Sequence, residues 1–214
     1  MSEEGKPRGV ERKVLLNPFV AYGLIKGFFS ARKLCKVLAE QGLEFESTGE
    51  CVKQLRRLSN RLGELRGFDE RLVARILEES SLELKTDLAV LSVDLGAYPE
   101  VLKLVSEIRG RARFLSVIQS VSSITIVIDR EHAGHFIERL GAHVLYTANN
   151  VSAVIMVSPD EVINTPGFIS VVTSLLSLHG INILQLLSCH RDTIMIMSEE
   201  DSRKAFQLLS ELSR

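Results

Sequence analysis

The stretch NTPGFISVVTSLLSLHGINILQLLSCHRDTIMIMSEEDSRKAFQLL, residues 164–208, decides the fold. Pro166 and Gly167 open a helix over 167–178, Gly180 closes it, 181–188 and 194–197 read as strands, and 202–209 reads as a second helix. With a further strand over 153–157, the order is strand, helix, strand, strand, helix. Gly167 stands where a loop meets a helix amino terminus, whose unpaired amides attract a carboxylate, and a side chain there would crowd the approach. Gly180 supplies the left-handed residue that ends a helix, and Asn182 offers both a donor and an acceptor. A helix cap, a turn glycine and a strand-edge asparagine would also account for the three.

The same order stands upstream. Strand patterns over 88–93, 114–120, 124–128 and 143–147 alternate with helices over 99–108 and 131–140, before Asn149 and Asn150 turn the chain. Sliding this copy forward by seventy places lays Gly110 on Gly180, Ile124 on Ile194, Ile126 on Ile196 and Phe136 on Phe206. Helices of such a unit cover one side of its sheet only, so two copies are expected to pack together and the chain to form a homodimer or higher homo-oligomer. The second copy shows no final strand, which leaves a sheet edge for a partner subunit or the amino-terminal segment to cover.

Residues 164–208 resemble an ACT domain, the small ferredoxin-like effector module of aspartokinases and other proteins of amino-acid metabolism, through Pro166-Gly167 and Gly180-Ile181-Asn182-Ile183. The first copy resembles it less closely, because Gly110-Arg111-Ala112-Arg113 replaces the second motif; Arg111 or Arg113 would hold an acidic ligand or merely solvate a turn. The resemblance implies an α+β chain of tandem βαββαβ modules that binds an amino acid or related metabolite between modules. It also implies a pocket walled by Asp94 and Gly96 from the first copy and Thr165, Gly167, Ile181 and Asn182 from the second. The arrangement is similar to compact stand-alone archaeal ACT regulators.

Ahead of the modules, residues 1–13 are polar with Gly5, Pro7 and Gly9 and are expected to be a flexible arm. Residues 14–85 are expected to form a bundle of three helices, followed by modules over 86–148 and 149–214. The middle helix, from Thr48 to about Arg66, repeats Leu55, Leu58, Leu62 and Leu65 on one face and carries Lys53, Arg56, Arg57 and Arg61 on others. Three short helices with a basic member describe a helix-turn-helix reader of DNA, with effector binding altering its engagement. The acidic QGLEFESTGE between helices is long for that motif, and a protein-interaction bundle or packing on the sheet edge reads equally well. Residues 1–85 hold sixteen Lys and Arg against thirteen Asp and Glu, about +3, and the remainder about −4, a basic surface on an acidic body or ordinary scatter.

Nothing points to catalysis. There is no phosphate loop, glycine-rich nucleotide turn or clustered acid pair to hold magnesium, so a kinase is excluded, and no cofactor is expected. His132 and His135 have ligand spacing but lack converging partners, so no metal is expected. Cys189 and His190 adjoin in a strand and should diverge to opposite faces. His179 serves as a carbonyl cap at a helix end. Cys35, Cys51 and Cys189 are an odd number without a shared motif and are expected to be buried free thiols. The charged amino terminus is not a signal peptide, and no run approaches the roughly 20 apolar residues of a membrane span. The expectation is a non-enzymatic cytoplasmic regulator.

Overall fold

A computed structural model describes residues 9–63 and 69–213. The chain divides into two compact units, Met1–Gly67 and Phe68–Arg214.

The first unit contains α1 (Gly9–Leu15), α2 (Pro18–Ile25), α3 (Ala31–Glu40) and α4 (Thr48–Gly63). Asn17 caps α2 by accepting from the Val20 amide at 3.2 Å, and Pro18 fills the first helical position, where no amide is needed. Three- and four-residue spacing puts Leu34, Cys35 and Leu38 of α3 and Cys51, Leu55 and Leu58 of α4 into one core with Val10, Val14, Ala21 and Leu24. The flexible arm expected over 1–13 is therefore corrected from residue 9 onward, because Val10 and Val14 are anchored in that core; residues 1–8 lie outside the described residues. The thiols are corrected too. Cys35 and Cys51 form a disulfide joining α3 to α4, and Cys189 is exposed.

The third expected bundle helix, α5 (Glu70–Glu79), belongs to the second unit. Asp69 caps it, accepting from the Arg71 and Leu72 amides at 3.0 and 3.2 Å. Its Val73, Ile76 and Leu77 enter the sheet's core, which moves the boundary expected at 85 forward to 67.

The remaining elements are β1 (Ser81–Asp94), α6 (Tyr98–Ile108), β2 (Leu115–Gln119), β3 (Ser123–Asp129), α7 (Arg130–Leu140), β4 (Val144–Val157), α8 (Phe168–Leu178), β5 (Gln185–Cys189), β6 (Asp192–Ser198) and α9 (Glu199–Ser210). They form one antiparallel six-stranded sheet in the order β2-β3-β1-β4-β6-β5. Two strands are twice the expected length. β1 begins at Ser81 rather than 88, and β4 runs through Asn149 and Asn150, which were expected to turn the chain. Asp87 at φ 60° and Asn150 at φ 59° instead kink the β1/β4 ladder, whose register shifts between Lys85 and Leu88.

This length also covers the sheet edge that was expected to need a partner subunit or the amino-terminal segment. Residues 81–85 pair with 153–157, so the start of β1 lies beside the end of β4, while 88–94 pair with β3 and with the first part of β4. Alternation along the strands sorts three cores. Ala89, Leu91 and Val93 meet α6 and α7, and Val154, Met156, Met195 and Met197 meet α5, α8 and α9. Leu88, Val90, Val127, Val151, Ala153, Ile155, Leu187 and Ile196 form a third cluster to which no helix contributes. The sheet curls so that its own strands dry this face, a mixed α/β arrangement consistent with ferredoxin-like topology.

Candidate functional site

The six residues expected to wall one pocket fall in three places. Asp94 ends β1, and its Oδ1 accepts from the Gly96 amide at 2.7 Å to set the tight turn Leu95–Ala97 that leads into α6. The register pair Val93 with Val144 brings His143 alongside, with Nδ1 3.0 Å from Asp94 Oδ2. Gly96 lets the pair close: a Cβ there would stand 2.9 Å from Asp94 Oδ1 and 3.3 Å from His143 Cε1. The His143 hydrogen bond, helped by the Gly96 and Ala97 amides, holds the Asp94 carboxyl below its usual value against a smaller desolvation effect. His143 was missed in the sequence, where it is only a histidine after a helix; the pairing of two strands, not a motif, makes it a neighbour of Asp94.

The second place is the entry to α8. Thr165 is nearly buried, and its hydroxyl donates to the Glu161 carbonyl at 2.7 Å. Gly167 caps the helix at φ 92°, a conformation that favours glycine, with no side chain to occupy the first-turn amides. The third place is the helix exit. His179 Nδ1 lies 2.9 Å from the Leu175 carbonyl, Gly180 takes φ 70°, and the Ile181 amide donates back to Leu176. Ile181 is buried and Asn182 exposed, and both precede β5 instead of opening it as expected.

Gly167 and Asn182 therefore sit at opposite ends of an eleven-residue helix, roughly 16 Å apart at 1.5 Å per residue. The ammonium and carboxylate of an amino acid share one carbon and cannot reach both. Asp94 and Gly96 lie at the opposite end of the β1/β4 ladder from the β4 terminus that leads to Thr165.

Other singled-out groups are committed elsewhere. Asp129, buried, accepts from the Arg113 and Phe114 amides and lies 3.3 Å from the Arg113 guanidinium. Arg113 is thus tied to the chain's own acid. Donor atoms of Asp129, Glu131 and His132 gather within 4.8 Å, but Asp129 already faces a cation of its own. His135 lies 3.4 Å from Glu107. His190 is in a turn at φ 55° rather than in a strand beside Cys189. In the helical unit, Lys53, Arg56 and Arg57 are exposed, whereas Arg61, expected to join them, is drawn 2.5 Å from Glu11.

Residues 147–211 match the ACT domain family. No curated protein matches the chain. The ligand-free regulatory subunit of aspartate kinase from Thermus thermophilus superposes with a TM-score of 0.52 at 17% identity, over 62% of this chain and 96% of that one. Aspartokinase alpha and beta subunits give 0.52 at 16% identity, over 64% and 96%. Aspartate kinase from Clostridium acetobutylicum gives 0.53 at 16% identity, and the match spans 63% of this chain but 34% of that enzyme. At such identities the superpositions speak for the fold alone, and the organisms named lend no support to an archaeal kinship. No helix among the described residues is long and apolar enough to cross a membrane. The ACT match thus covers residues 147–211, and the sheet unit shares its fold with solved structures that include the regulatory subunit of aspartate kinase.

Proposed function

We propose that this protein is a non-enzymatic regulator that binds an amino acid or a related small metabolite, and that two copies assemble the site. The reading takes the sheet unit as two interlocked βαββαβ modules. The first comprises 88–94, α6, β2, β3, α7 and the start of β4; the second comprises the end of β4, α8, β5, β6, α9 and residues 81–85 as its last strand. The observation that carries it is the ACT match over 147–211, a segment that holds most of β4, α8, β5, β6 and α9.

An α-carboxylate fits the open amides behind Gly167, and Asn182 supplies a donor and an acceptor for the same ligand only from another chain, since its own lies a helix length away. Asp94 and Gly96 belong, on this reading, to the corresponding loop of the first module. Assembly would couple ligand to the arrangement of subunits, because a ligand that bridges two copies favours the arrangement in which they meet.

The test is a thermal-shift screen against the common amino acids, followed by mixing of two variants. Gly167→Val and Asn182→Ala should each abolish stabilisation by the active ligand. Mixed and allowed to exchange subunits, they should regain about a quarter of the sites, since half of the dimers are mixed and each mixed dimer has one intact site. No regain after proven exchange would place the site within one chain, and no stabilisation by any amino acid would leave a module without this ligand.

A further inference from the structure

The division at Gly67 sharpens a charge asymmetry. Described residues 9–63 carry ten Lys and Arg against five Glu, a net of +5, because the acids Asp69, Glu70, Glu78, Glu79 and Glu83 fall in the other unit. Much of that charge lies on one face of α4. Taking the buried Cys51, Leu55 and Leu58 as the inner side, helical rotation brings Lys53, Arg56, Arg57 and Asn60 onto the opposite side in one stripe. All four are exposed, and none of the three cations has an acidic partner among the described residues. Among the described residues, Glu50 borders the stripe one turn before Lys53 and is bonded by Gln54, while Glu44 and Glu46 lie in the loop before α4.

We infer that this stripe is a docking surface for the phosphate backbone of duplex DNA. The charge sign suits a polyanion, and the composition selects among polyanions. Guanidinium forks match phosphate oxygens in pairs, and the Asn60 amide between them has the donor and acceptor that a base edge presents in the major groove. The stripe spans about 10 Å of a helix about 24 Å long, a rod that a major groove admits. It contains no apolar or aromatic side chain. A helix lying in a lipid surface buries an apolar face between its cations, and a protein interface is anchored by buried aromatics; the exposed positions of 53–60 offer neither, since Leu55 and Leu58 are spent in the unit's own core.

The experiment uses the full chain and a labelled mixed-sequence duplex about two helical turns long, with fluorescence anisotropy read across a salt series. Wild type should bind at low salt with an affinity that falls steeply as salt rises. Replacing Lys53, Arg56 and Arg57 together by Gln should weaken binding and reduce the slope of log affinity against log salt by about 2.7, at about 0.9 per phosphate contact. Lys53→Gln alone, which spares the helix if the triple variant melts early, should reduce it by about 0.9. Arg203→Gln with Lys204→Gln on α9, where both cations are already paired with Glu199 and Glu200, should leave the slope unchanged. Absence of binding at low salt would overturn the inference. So would equal loss from the α9 variant, or stripe-dependent binding to phosphatidylglycerol vesicles by a protein that ignores DNA.

Discussion

The Arg130 guanidinium donates to Asp87 Oδ1 at 2.6 Å, and through its other terminal nitrogen to Asn150 Oδ1. It thereby clasps the two left-handed residues at the kink of the β1/β4 ladder. The clasp is half exposed, so its electrostatic worth is small, whereas the backbone conformation it spans is costly for most residues. Arg130→Gln is therefore expected to lower stability by at most about 1 kcal/mol. Asn150→Val, which puts a branched side chain into the left-handed region, should cost more, roughly 1–2 kcal/mol from the backbone alone. Denaturant unfolding of both variants checks the order; a larger loss from Arg130→Gln would mean that the clasp, not the backbone, holds the kink.

Asp94 titrates below its ordinary value of 3.8, chiefly because His143 hydrogen-bonds its carboxylate. A carboxyl depressed in the folded state contributes stability that is present above the unfolded value and lost as pH falls through the folded one. The affected window is thus below about pH 4. His143→Ala should move the Asp94 midpoint upward in a carbon-detected NMR titration. Gly96→Ala should do the same, because the new Cβ pushes on Asp94 Oδ1 and His143 together. An unmoved midpoint in His143→Ala would leave the Gly96 and Ala97 amides as the cause.

Local chemistry was legible where a residue's role is fixed within a turn or two of its own position. Gly167 and Gly180 take the left-handed conformations their helix ends require, and His179 meets a last-turn carbonyl. What stayed hidden depends on partners distant in sequence. Residues 149–214 read as lacking a final strand, because residues 81–85, Ser-Leu-Glu-Leu-Lys, are charged enough to pass as the tail of the helical segment. Only pairing with 153–157 makes them a strand. The candidate site divided for a related reason: sequence places Gly167 and Asn182 in neighbouring motifs, while the intervening helix carries them to opposite ends.

No motif links Cys35 to Cys51, so the sequence alone reads both as free thiols. The available signal was their register, since each falls on the apolar face of its helix, with Leu34 and Leu38 in α3 and with Leu55 and Leu58 in α4. Their bond closes a loop of 16 residues, which in the chain-entropy account stabilises the folded unit by about 3 kcal/mol. Reduction, or Cys35→Ser with Cys51→Ser, should lower the unfolding free energy of the helical unit by about that amount, read from helical circular dichroism against denaturant. The sheet unit, followed by its strand signal, should hardly respond. Identical curves with and without reductant, in a sample whose thiols have been counted, would show that the bond is not formed in solution.

The start of β1 offers the sharpest test of how the edge of β4 is closed. Residues 81–85 cover the edge of β4 at 153–157, and Leu82 and Leu84 pack against the core that includes Val154, Met156 and Phe168. The corner leading into them is fastened by the buried Ser80, whose hydroxyl lies 2.6 Å from the Ile76 carbonyl and 2.8 Å from Ser158 Oγ. A chain beginning at residue 69 retains α5, the corner and the strand, and should melt cooperatively. One beginning at residue 86 exposes the unpaired β4 edge together with the apolar face that α5 covered, and should aggregate or lose its cooperative transition. Ser80→Ala, a milder change, deprives Ser158 of its partner in a dry site and should cost about 1–3 kcal/mol. Equal melting of the two truncated chains would show that residues 81–85 are dispensable, and the β4 edge would then have to find its partner strand elsewhere.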